Sequence, residues 1–201
     1  MKKISTKERI LDEALNLFSE RGYEGVSVDD IASAVGIKAP SLYKHYAGKE
    51  DIFNSLLDRI EEKDAVGFSS ESNALPDTLK QFREYIMVRT NMVLTDPVRK
   101  KIRKLLTLEQ YRNERASKLA SCYMISKPLD ELAKLFSKLI QSGLFKKDDE
   151  KELSCELLYP VILMVSMIDR EPDREFEIIK DIKKHVKRFT KAHGVKKDKT
   201  L

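Results

Sequence analysis

Between Gly36 and Glu50 the chain reads GIKAPSLYKHYAGKE. Lys38, Lys44 and Lys49 stand there with His45 and two tyrosines, and the first acid is Glu50. Such groups suit recognition rather than covalent chemistry. Ammonium groups neutralise phosphates, a tyrosine hydroxyl donates to a phosphate while its ring covers sugar or a thymine methyl, and an imidazole donates from either nitrogen. On that logic Tyr43, Lys44, His45 and Lys49 position the segment on duplex DNA. The leading residues read base edges: Lys38 toward guanine acceptors, Ala39 and Pro40 against thymine methyls, Ser41 toward either kind of edge. His45 is equally suited to capping or packing.

A segment of this kind acts only if something holds it rigidly. Ile10, Leu11, Ala14, Leu15 and Phe18 recur at helical spacing and predict a first helix ending near Gly22. Ser27 and Asp30 are spaced as a capping box, and Ile31, Ala32, Ala34 and Val35 supply the apolar residues of a short second helix that Gly36 stops. Pro40 suits the first position of a third helix, where its missing N–H costs nothing. The pattern is a helix-turn-helix, with Leu42 and Tyr46 turned inward and Ser41, Tyr43, Lys44 and His45 outward. Ser27 and the free amides of the second helix offer one more phosphate contact, against which Asp29 and Asp30 stand.

The charge is sorted accordingly. Residues 1 to 50 carry eight Lys/Arg and eight Asp/Glu, yet 36 to 49 is purely basic at +3. The whole chain has 201 residues and a formal charge of +5, which permits a polyanionic partner without demanding one. A second basic block, nine Lys/Arg against two acids over 180 to 201, reads as a solvated helix face and frayed end.

The run ILDEALNLFSERGYEGVSVDDIASAVGIKAPSLYKHYAGKEDIF resembles the DNA-binding head of the TetR family of bacterial transcriptional regulators. The resemblance rests on A-x-x-L-F-x-x-x-G-Y, S-V-x-D-I-A, the G-I turn, and L-Y-x-H-Y followed by K-E, about a quarter of the chain. It implies a homodimer on roughly palindromic operator DNA, a three-helix head joined by a linking helix to a helical regulatory domain, and release by a small-molecule effector. Carried over by position, the operator contacts are Ser27, Lys38, Ala39, Pro40, Ser41, Tyr43, Lys44, His45 and Lys49. Ala39 and Pro40 offer no side-chain hydrogen bond, so sequence reading would lean on few base edges and on DNA shape.

The rest predicts an all-α chain of about nine or ten helices, with few glycines and prolines. We expect a DNA-binding domain over 1–48, a linking helix over 49–66 and a regulatory and dimerisation domain over 67–201, with the boundary in the small-polar stretch 66 to 76. Asp96-Pro97 and Lys127-Pro128 mark helix starts, Asp148 or Asp149 a cap, and Pro160 a kink. The stripe 129 to 140 and the nearly all-apolar run 153 to 168 need cover on every side. Burial within one chain would provide it, but with the family's dimer in view we expect a four-helix interface through Leu132, Leu135, Phe136, Leu139, Leu157, Val161, Val165 and Ile168. Phe82, Tyr85, Ile86, Arg89, Leu108, Tyr111 and Met124 lie on helices that line a cavity in this family, while core packing would use the same residue types. The five cations of VRKKIRKLL, 98 to 106, form a solvated face or receive the charged end of an anionic ligand.

Other functions find little support. No nucleophile with a base, paired carboxylates, metal set or phosphate-cradling loop stands out among three scattered histidines and seven glycines, so no enzyme, cofactor or metal is expected. His185 and His193 read as surface residues. Cys122 and Cys155 lack CxxC spacing, which points to a reducing cytoplasm rather than a disulfide framework. The longest apolar run, LLYPVILMVSMI, is too short to span a membrane. The rival to a DNA-binding regulator is a helical module that binds a ligand or protein without operator binding.

Overall fold

A computed structural model describes residues 5–65 and 75–195, so most of the boundary expected at 66 to 76 and the end of the basic tail lie outside the described residues. The chain divides into two units. The first holds residues 1–71 and 97–121, and the second 72–96 and 122–201.

In the first unit, α1 (Thr6–Arg21) begins at a capping box between Ser5 and Glu8 and ends at Gly22, whose φ of 71° suits a residue without Cβ. The helix α2 (Val28–Val35) starts at the Ser27–Asp30 capping box read from the sequence. It stops at Gly36 in the left-handed conformation, φ 76° and ψ 34°, with the Ile37 amide donating back to the Ala32 carbonyl. The helix α3 (Ala39–Leu42) is a single α-turn with Pro40 near its start. Beyond it the chain tightens through Tyr43 to His45 rather than continuing as the longer helix expected, and the Tyr46 amide donates to Leu42. Next come α4 (Lys49–Ala65), α6 (Pro97–Glu109) and α7 (Glu114–Ser121).

The structure therefore groups α6 and α7 with the head, whereas the sequence reading placed everything after 66 in one later domain. The reason is the amphipathic face of α6. Ile102, Leu105 and Leu106 are buried, α6 packs on α1, and the Lys101 ammonium donates to Asn16 Oδ1 at 2.6 Å. Arg115 of α7 ties the unit to α4 through Asp58 and, at 2.7 Å, Glu61.

The second unit is built from α5 (Leu79–Thr95), α8 (Lys127–Gln141), α9 (Glu150–Arg170) and α10 (Glu175–His193). A π-turn, Cys122–Ser126, leads into α8. Pro128, two residues into that helix, has no amide to give the carbonyl four residues back, so the regular ladder cannot run through it. Asp149 caps α9, which runs through Pro160 as one helix. The core gathers Phe82, Phe136, Phe145 and Phe189, with Phe82 and Phe145 edge to face at 4.8 Å and Phe136 5.3 Å from Phe145. An isolated bridge between Phe145 and Gly194 ties the α8–α9 connection to the end of α10. Among the described residues no helix is long and apolar enough to cross a membrane.

Candidate nucleic-acid interface

The segment 37 to 46 has two faces. Leu42 is 0% exposed and Tyr46 2%, and the Tyr46 hydroxyl donates to the Lys7 carbonyl at 3.3 Å. These two side chains fasten α3 from behind, as their four-residue spacing suggested. The opposite face is open: Lys38, Pro40, Lys44 and His45 are exposed, Ala39 and Ser41 are half-buried, and Tyr43 is 55% exposed. His45, which the sequence left between contact and packing, stands in solvent. The cations and donors thus stand open to solvent, and a short helix presenting its leading residues this way fits a major groove about 12 Å wide.

Two of the nine residues expected to contact operator DNA are engaged inside the head. The Ser27 hydroxyl donates its proton to Asp30 Oδ2 at 2.6 Å and accepts from the Asp30 amide at 3.1 Å, which leaves it no donor for a phosphate. The Ser27 hydroxyl and amide, both donating, hold the Asp30 carboxyl below its ordinary value, with Arg21 helping and burial opposing. A depressed folded-state value means the cap is intact above the ordinary carboxylate range and is lost as pH falls through the depressed one. Lys49 is half-buried, its ammonium 3.0 Å from the Tyr23 carbonyl and 4.2 Å from the Tyr23 ring centre.

The residues expected to line a pocket are not gathered at one place. Phe82 and Ile86 fill the core of the second unit. Tyr85 is half-buried under the Arg89 guanidinium, 4.8 Å from its ring, and Arg89 pairs with Glu131 at 3.0 Å. Burial pushes the Tyr85 phenol upward. Met124 sits half-buried in the π-turn, whereas Leu108 and Tyr111 belong to the first unit, 42% and 89% exposed. The cluster 98 to 106 is likewise not one free cationic face: Lys101 is bonded to Asn16 and Arg103 is buried, leaving Lys100 and Lys104 exposed.

The residues expected at a dimer interface face the core of their own protomer. Leu135, Phe136, Leu139, Leu157, Val161, Val165 and Ile168 are buried within one protomer, and Leu132 packs against them. Intrachain cover from α5, α10 and the α8–α9 pair meets the need that their apolarity signalled. What α9 leaves outward is a different stripe, with Tyr159 51% and Leu163 60% exposed and Cys155, Ile162 and Ser166 partly so.

His185 and His193, read as surface residues, are half-buried and partnered. His185 Nε2 lies 3.0 Å from the Leu157 carbonyl, and His193 Nε2 lies 2.9 Å from Glu156. Among the described residues no group of three or more His, Cys, Asp or Glu is arranged to hold a metal. The contact that sequence reading missed altogether joins Glu109 of α6 to the Tyr23 amide, 86 positions away.

The family profile for bacterial regulatory proteins of the tetR family matches residues 10–56. A relative from Staphylococcus epidermidis, the biofilm operon icaADBC HTH-type negative transcriptional regulator IcaR, is 53% identical over 47 residues. That stretch is 23% of this chain and 25% of the relative, so the chain matches about a quarter of the length of this curated protein. Over the whole fold, a TetR-family transcriptional regulator from Cytophaga hutchinsonii superposes with a TM-score of 0.71 at 16% identity, covering 98% of this chain and 100% of the other. SmeT, the repressor of the Stenotrophomonas maltophilia multidrug efflux pump SmeDEF, gives 0.67 at 18% identity over 98% and 93%.

Proposed function

We propose that this chain, which carries a TetR-family DNA-binding head on a TetR-type helical fold, is a transcriptional repressor. As a homodimer it holds palindromic operator DNA, and it lets go when a small molecule binds its helical second unit. The observation that carries the reading is the division of residues 37 to 46 into a sealed back at Leu42 and Tyr46 and an open, donor-rich front at Lys38, Tyr43, Lys44 and His45. On this reading Lys44 and Tyr43 hold phosphates, His45 donates beside them, and Lys38, Ala39, Pro40 and Ser41 meet base edges. Ser27 and Lys49 serve the head's own architecture. Repression, rather than activation, is favoured by the roles stated for IcaR and SmeT.

Dimerisation through the outward stripe of α9 would cover Tyr159 and Leu163 against their symmetry mates and double the reading head. The target would then be two inverted half-sites, spaced centre to centre by whole helical turns of about 10 bp. Selection from random duplex DNA tests this: recovery of an inverted repeat is the expected outcome. Recovery of no enriched sequence, with ligand binding retained, would instead favour a module without operator binding.

A further inference from the structure

The head is held from a distant part of the chain. Glu109, at the end of α6, is 3% exposed, and its Oε1 accepts from the Tyr23 amide at 2.8 Å. A carboxyl group that gives up its hydration needs a fixed donor, and a backbone amide is a directional one. The turn is shaped for it: a Cβ at Gly22 would come within 3.2 Å of Glu109 Oε1, and Gly22 has a φ of 71°. The other side of Tyr23 faces α4. Its carbonyl accepts from the Lys49 ammonium at 3.0 Å, and its ring meets Phe53 edge to face at 4.9 Å. Lys49 opens α4, three residues after the buried anchor Tyr46, so the turn that follows α3 ends at this clamp.

We infer that Glu109 is a positioning residue for operator recognition. Through the Tyr23 amide and then Lys49 it sets the angle at which the α3 segment is presented, while touching no DNA itself. The inference rests on the operator-binding reading above. A clamp of this kind acts on geometry, so it governs discrimination between the operator and random duplex more than it governs general affinity for phosphate.

The test compares three variants on the duplex recovered by selection and on a random duplex, by fluorescence anisotropy. Glu109→Gln keeps the reach and the acceptor and is expected to bind the selected duplex within about twofold of the natural chain. Glu109→Asp keeps the charge but withdraws the oxygen by one methylene, and should lose roughly five- to tenfold on the selected duplex, as for one hydrogen bond, with little change on the random one. Lys49→Met frees the opposite side of Tyr23 without touching the buried carboxylate and should show the same selective loss. Wild-type behaviour of either Glu109→Asp or Lys49→Met, equal damage by Gln and Asp, or equal loss on both duplexes would overturn the inference alone. A natural chain that selects no duplex would overturn the proposed function and this inference together.

Discussion

Leu42→Ala is expected to cripple the reading head. Leu42 is 0% exposed on a helix only one turn long, and Tyr46 is the other buried anchor of that segment. Truncating a buried leucine leaves a cavity and costs about 2–5 kcal/mol, a large share of the stability of a small helical unit. If as little as about 1.4 kcal/mol of that loss falls on the seating of α3, operator affinity drops tenfold. The control is Tyr43→Ala on the opposite face of the same segment. Tyr43 is 55% exposed, so its removal should change stability by no more than about 0.5 kcal/mol while still weakening binding. Thermal unfolding and anisotropy on the same two variants separate the roles. A stable Leu42→Ala protein with full affinity would mean that α3 is held by something other than its buried side.

Phe136→Ala is expected to do comparable damage to the second unit. Phe136 is fully buried at the meeting point of Phe82, Phe145 and Phe189, with ring centres 5.7, 5.3 and 5.6 Å away. Loss of a buried phenylalanine costs about 3–5 kcal/mol, and the aromatic pairs it breaks contribute part of that. Calorimetry should show the transition involving α5, α8, α9 and α10 fall by several degrees, whereas Phe176→Ala, 74% exposed, should leave it in place. A shift of similar size in both variants would contradict the core described here.

The two effects bear on what the amino-acid sequence makes legible. Local signals carried the head: the Ser27–Asp30 cap, the stop at Gly36 and the Leu42–Tyr46 spacing act within one or two helical turns, and each appears in the structure as read. Patterning also found the apolar stripes of α8 and α9, but apolarity alone does not say which neighbour covers them. Leu135, Phe136 and Val161 therefore turned out to be intrachain core, and the outward residues are Tyr159 and Leu163. Partnerships across long separations leave no periodic trace. The bond from Tyr23 to Glu109, the packing of α6 on α1 and the occupation of Lys49 by Tyr23 depend on tertiary placement of residues whose types, taken singly, suit a solvated surface. Lys49 illustrates the ambiguity well, because an ammonium beside a basic helix looks like a phosphate contact until its distance to a carbonyl is known.

On the proposed function, the open face of the α3 segment lies on the DNA backbone and grooves. Binding of the selected duplex, measured as log K against log salt, tests it most directly for the natural chain and for Lys44→Ala. The expected result is a steep negative slope, about −0.9 for each phosphate neutralised, and a slope shallower by about one unit per head when Lys44 is lost. A slope near zero in the natural chain, or one that Lys44→Ala leaves unchanged, would contradict it.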